Sequence, residues 1–392
     1  MKHTRTSCQG QEASQARSCS CATGPRLNQE CEKEKGSGTI SRRAAECYEM
    51  WRHIPQRRAS MTRWLAHGVT FAVMIFLSGC LSTPTVNWAS EKIGFTRAPQ
   101  LGGTDTLWIM NGDGSGQSPL NLAGNGNSSL TWSPDGNYIA FESVRDGNLE
   151  IYTARIISNG NGTFSAQDIR RRTTSPADDS FPAWSPDCAL LAFSSNRANQ
   201  THYNIYQLDL NNNVTPITSG NYEDLSPSWS PDGAKIAFTR RVGNASREIY
   251  VHAMNSGQEI RLTNNSVNDT DPSWSPTGRI IFSRHSEDGS RAALFEMDAV
   301  DTNGDGNGDH LDQISTPNAN EYDQEPEYSR SGKAIVFFRS QEAGGGGPGD
   351  VWRLIIQDGT VMEPLQNLTQ TNPQHEHGAT WRRNGVCLRK GK

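Results

Sequence analysis

A repeat anchored on tryptophan constrains this chain more than any other feature. Trp132, Trp184, Trp229 and Trp274 open the near-copies WSPDG, WSPDC, WSPDG and WSPTG, and Tyr328 (YSRSG) and Trp381 (WRRNG) open weaker ones. The six aromatics stand 52, 45, 45, 54 and 53 residues apart. A period near fifty means that one supersecondary unit is stacked several times, because a unit of that size cannot bury its own apolar face. Each turn leads into an apolar run ending in phenylalanine, at Phe141, Phe193, Phe238, Phe282 and Phe337, and an early copy, KIGF, ends at Phe95. Apolar residues at consecutive positions indicate strands covered on both faces. An aliphatic–aromatic pair follows in every unit, from Leu107 and Trp108 to Val351 and Trp352. Most units close on an LT-like ending such as Leu262 and Thr263 or Leu368 and Thr369. Helical solenoids of similar period need a 3.6-residue pattern, and none is present.

Four strands per unit, six times over, predict an all-β fold, a six-bladed β-propeller of four-stranded blades spanning residues 92–388. The first unit lacks its Trp strand, and the last Trp strand has almost nothing after it. Pairing the N- and C-terminal strands in one blade would remove two exposed sheet edges at once. The pattern WSPDG, IAF, IY, LT resembles the TolB-type, WD-like propeller repeat. That resemblance implies protein binding in the periplasm or envelope. TolB-type chains place an α/β domain before the propeller, whereas here only the 11 residues 81–91 separate Cys80 from the first strand.

The amino end reads differently. Residues 1–60 hold five of the eight cysteines and show no periodicity, so they are expected to be disordered or an untranslated extension. From Met61, Arg63 supplies a positive flank and residues 69–77 form a short apolar run, ending in Leu77-Ser78-Gly79-Cys80. A run this short fits a signal peptide rather than a permanent span. The segment 61–79 resembles a bacterial lipoprotein signal, which makes Cys80 the acylated first residue and 80–91 a tether. Leu81 after the cysteine points to an outer-membrane destination in a two-membrane cell. Residues 81–392 carry 25 Lys+Arg against 36 Asp+Glu, an acidic body that argues against nucleic acid as a partner.

Five residues before each signature aromatic stand Asn127, Asp179, Asp224, Asp269, Asp323 and Glu376. The segment entering each innermost strand should bring these side chains around one mouth of the central channel. There they would focus a negative potential suited to a cationic group. The alternative is that each caps a turn between blades. In the fifth unit Asp301, Asn303, Asp305, Asn307, Asp309 and Asp312 occupy positions 1, 3, 5, 7, 9 and 12 of an EF-hand-like loop, with Gly306 at position 6. The terminal Asp resembles a dockerin-type calcium loop, so Ca²⁺ is expected and no organic cofactor. His375 and His377 flank Glu376, and a metal there would need a third ligand such as His202 or His285. Cys188 replaces the glycine of one SPDG turn, and no bridge to Cys387 is expected, since the two lie in different blades. The glycine run 344–347 reads as a flexible loop. No nucleophile elbow, P-loop or dinucleotide fingerprint is present. The expected function is therefore a non-enzymatic envelope lipoprotein that binds a protein or peptide at an acidic channel mouth. The competing expectation is a metal-dependent, carbohydrate-active lyase or hydrolase using channel histidines.

Overall fold

The computed structural model describes residues 87–387 other than 101–102, 125, 342–347, 358–359, 362–363, 371–373 and 384. The N-terminal extension, the leader, Cys80 and the glycine run lie outside the described residues.

Every described regular element is a strand. β1 (Lys92–Ala98), β2 (Thr106–Asn111) and β3 (Ser118–Pro119) pair antiparallel in that order. The next sheets are consecutive meanders: β4 (Asn127–Trp132), β5 (Tyr138–Ser143), β6 (Glu150–Ser158) and β7 (Phe164–Arg171); β8 (Asp179–Trp184), β9 (Leu190–Ser195), β10 (Asn204–Asp209) and β11 (Val214–Pro216); and β12 (Tyr222–Trp229), β13 (Lys235–Val242), β14 (Arg247–Ala253) and β15 (Glu259–Arg261). β16 (Asp269–Trp274), β17 (Arg279–His285), β18 (Ala292–Asp298) and β19 (Asp312–Gln313) follow. Then come β20 (Tyr322–Tyr328), β21 (Ala334–Ser340), β22 (Gly349–Gln357), β23 (Thr360–Val361) and β24 (Gln366–Asn367). These last nine form one sheet, in which β18 meets β20 through a single parallel bridge, Ala292 to Tyr322. The last strand, β25 (His375–Trp381), pairs with β1, placing Trp381 opposite Ile93 and Glu376 opposite Arg97. The C-terminal strand thus completes the N-terminal sheet. The aromatic-bearing strands β4, β8, β12, β16, β20 and β25 touch in that order, and β25 returns to β4. The architecture is an all-β propeller.

The apolar runs behave as their composition demands. Phe95, Phe141, Phe193, Phe238, Phe282 and Phe337 are all fully buried. Each lies in the second strand of its unit, with neighbours on both faces, so every one removes a whole aromatic ring from water. The LT-like endings have a defined role: Thr173, Thr218, Thr263, Ser315 and Thr369 hydroxyls accept the N–H of the aliphatic residue in the third strand.

Each Trp strand carries a bulge two to three residues before its aromatic, where the ladder to the second strand skips. The first bulge residue is left-handed in all six: Ser129, Phe181, Ser226, Asp271, Glu325 and Gly378, with φ between 47° and 62°. Proline follows in four of them, at Pro182, Pro227, Pro272 and Pro326. Proline is tolerated there because a bulge has no ladder N–H to lose.

One expectation is corrected. Cys188 and Cys387 are joined by a disulfide, with Cα atoms 5.3 Å apart. The residues after Trp381 do not stay within their own sheet. They run past the β4–β5 turn, where Gly385 N–H donates to Pro134 O, and reach the β8–β9 turn that holds Cys188.

Candidate functional site on the channel axis

The six residues five positions before the aromatics do not form a charged mouth. Asp179, Asp224, Asp269, Asp323 and Glu376 have no exposed surface, and Asn127 has almost none. Each faces an arginine on the second strand of its own sheet or just past that strand's end: Arg197, Arg240, Arg284, Arg339, Arg97 and Arg145 respectively. Asp224 and Asp269 are gripped in a two-pronged way, at 2.6 and 2.8 Å and at 2.7 and 2.8 Å. Four of the pairs are direct cross-strand partners, whereas Arg145 and Arg197 reach back from two residues further on. Every arginine also lies over the buried phenylalanine and the third-strand aromatic, as Arg240 does over Phe238 and Tyr250 at 5.0 Å each. Burial pushes the carboxyls of Asp179, Asp224, Asp269 and Asp323 up, and the arginine opposite pulls them back. A guanidinium cannot surrender its proton, so each of the five acids, and Asn127 with them, faces a fixed positive charge. Some of the acids also reach the preceding unit, since Asn265 donates to Asp269 and Ser315 to Asp323. Both the receptor reading and the simple turn-cap reading therefore give way to a buried ion-pair ring. The sequence carried a signal for it: an arginine stands two or four residues after the phenylalanine in all six units.

The side chains that do face the axis come from the bulges. Phe181, Ser226, Asp271 and Glu325 line both of two cavities that meet there. The larger, about 730 Å³, opens where the inner strands begin, and is lined also by Arg247, Gln324, His285, His375 and His377. The smaller, about 190 Å³, lies where they end, among Trp132, Pro134, Pro186, Glu327 and Arg383. Asp271 accepts from the Ser226 and Thr270 hydroxyls, and Glu325 accepts the Gly378 N–H at 2.5 Å. Burial holds both carboxyls above the usual carboxylate range. Burial alone would lower His377, but the Asp105 carboxylate 3.6 Å away and the Glu325 charge raise it above the usual histidine range. Burial lowers His285, against the pull of Asp271.

His285 thus shares a cavity with His375 and His377, while His202 sits in a turn with Asn199 and Thr201. Among the described residues, the one group of three acidic, histidine or cysteine side chains whose ligand atoms gather within 4.8 Å is Asp135 with the disulfide pair Cys188 and Cys387. The axial histidines therefore do not converge on a common point.

The loop from Asp301 to Asp312 folds on itself. Asp301 accepts the N–H groups of Gly304 and Gly306 at 2.7 and 2.9 Å, and Asp305 accepts that of Asn307. The Thr302 hydroxyl donates to Asp309, Asn307 accepts the Asn264 N–H, and Arg279 holds Asp312 at 3.1 Å. Positions 1, 3 and 5 thus bond within one turn, and position 12 is held by Arg279.

A closed cycle of aromatic-bearing strands around an axial channel, with bulge residues as its lining, defines a β-propeller. The chain matches the family described as TolB beta propeller domain over residues 127–244 and 181–388, and it belongs to that family. TolB from Acinetobacter baumannii is similar at 21% identity and a TM-score of 0.54, over 75% of this chain and 67% of that one. A putative TolB from Agrobacterium tumefaciens is similar at 19% identity and 0.52, over 74% and 99%. The hydrazine synthase of Kuenenia stuttgartiensis is similar at 11% and 0.58, over 75% of this chain and 47% of that one. At these identities the likeness is one of fold. No curated protein matches the chain.

Proposed function

We propose that this chain is a non-enzymatic lipoprotein of the cell envelope whose propeller binds a protein or peptide partner at the channel mouth. In this reading the nine-stranded sheet counts as two blades hinged on one bridge, giving six blades, one for each Trp strand in the cycle. The observation that carries the proposal is the axial cavity of about 730 Å³ with two carboxylates, Asp271 and Glu325, at its floor. The ring of buried acids is neutralised by arginine, so the cationic group of a partner is assigned to these two instead. Cys80 supplies the lipid anchor, facing the periplasm from the outer membrane where there are two membranes.

The test is capture from detergent-solubilised envelopes, followed by titration of the identified partner. The wild-type chain should partition into the detergent phase and Cys80→Ala should not. Asp271→Asn with Glu325→Gln should weaken the partner roughly 10-fold or more, since each charge-assisted bond contributes about 1.5–3 kcal/mol. Unchanged affinity in that double variant would remove the channel floor from the proposal.

Two further readings rest on specific residues. A metal-dependent lyase or hydrolase is favoured by His285 joining His375 and His377 in one cavity, and disfavoured by their failure to converge. Calcium at Asp301, Asn303, Asp305, Asn307, Asp309 and Asp312 would require Asp312 to exchange Arg279 for the ion.

A further inference from the structure

The turns after β4, β8, β12, β16 and β20 have the same backbone, closed by the N–H of the fourth residue on the serine carbonyl three positions before. In four of these turns that fourth residue is glycine at positive φ: Gly136 at 67°, Gly233 at 68°, Gly278 at 90° and Gly332 at 69°. In the β8–β9 turn it is Cys188, at φ 59°. A side chain there is strained, because its Cβ crowds the neighbouring carbonyl, and strain retained at one copy of a repeat points to a role for that side chain. The role is visible in what Cys188 holds. After Trp381, Arg382 Nε donates to Gly136 O at 2.9 Å and its guanidinium lies 5.3 Å above the Trp132 ring. Gly385 N–H donates to Pro134 O at 3.0 Å, and Arg383 approaches Glu327 at 3.8 Å beside the smaller cavity. Val386 is 77% exposed, so its side chain does not secure this segment. The last described residue, Cys387, is held by the bond to Cys188.

We infer that the Cys188–Cys387 disulfide is a redox-operated latch, which holds the C-terminal strap across the base of the channel and releases it on reduction. A dithiol supplies the two electrons and two protons. The S–S bond breaks, Cys188 and Cys387 become thiols, and the dithiol closes to its own cyclic disulfide. The strap then keeps only the contacts of Arg382, Arg383 and Gly385, and the base of the smaller cavity opens.

The full chain, Cys188→Gly and Cys387→Ser are compared with and without dithiothreitol, reading amide exchange at Gly385 and Val386 together with the melting temperature. Cys188→Gly restores the residue of the sibling turns, so it relaxes the turn while removing the latch. With the latch, the oxidised wild type protects these amides at least 10-fold over the reduced protein. Both variants then match the reduced protein and ignore dithiothreitol. The inference is overturned if oxidised Cys188→Gly melts at or above the oxidised wild type with exchange unchanged. It is equally overturned if Cys387→Ser still responds to dithiothreitol as the wild type does.

Discussion

Asn127 is the natural experiment among the buried acids. It takes the place of an aspartate, yet Arg145 still donates to its side-chain oxygen at 2.6 Å. A neutral amide can therefore satisfy the geometry of the site while surrendering the charge–charge attraction. Asp224→Asn should accordingly cost about 1–2 kcal/mol in denaturant unfolding, the difference between a charged and a neutral acceptor. Arg240→Ala is a different matter. It strips the cation from two carboxylates, Asp224 and Glu259, and uncovers the Phe238 and Tyr250 rings it lies over. Removing one partner of a buried pair leaves an uncompensated charge, so a loss of about 3–5 kcal/mol is expected. Equal losses in the two variants would mean that the pair acts through packing alone. The acids were legible in the sequence as a repeated position, but their partner was not recognised. The arginines stand at two different distances from the phenylalanine, and only the folded sheets bring both kinds to the same place.

At the scale of the element, the bulge decides which side chains reach the axis. A regular strand alternates its faces, so a residue five before the tryptophan and one three before it would point the same way. The left-handed residue breaks that alternation, and it is the nearer position that lines the cavity while the farther one turns into the blade. The proline two before the aromatic was the available signal, since proline inside a paired strand marks a bulge. The loop between β18 and β19 shows the opposite balance, with spacing that was easy to read and geometry that was not. Its oxygen donors recur at calcium-loop intervals, but Arg279 on β17 competes for Asp312. If Ca²⁺ binds, it stabilises the folded chain by mass action, about 2.7 kcal/mol at a hundred times Kd. The melting temperature should then rise with calcium, fall back with chelator, and ignore both in Asp301→Ala with Asp305→Ala. A rise that survives the double substitution would place the ion elsewhere.

For the whole molecule, closure of the cycle is the governing constraint. β25 completes the sheet begun by β1 and buries Trp381 beside Ile93, Phe95 and Met110. Removing residues 375–392 should leave β1 with an unpaired edge and the cycle open, and abolish a single cooperative melt. Removing only 385–392 takes away the disulfide while keeping β25, so that shorter chain should melt cooperatively at a lower temperature. The disulfide closes a sequence separation of 199 residues, and tethering a loop that long restricts the unfolded chain by an amount worth about 5 kcal/mol. If both truncations melt alike, the closing strand is not what holds the cycle. The period of about fifty residues, the doubly buried second strands and the complementary ends were all properties of the sequence, because burial and edge pairing write themselves into local composition. What only the tertiary structure decided was which atoms meet across units: the arginine over each buried acid, the bulge carboxylates on the axis, and Cys387 beside Cys188. Those contacts join residues far apart in the chain, and no local pattern records a distance that exists only after the sheets have closed on one another.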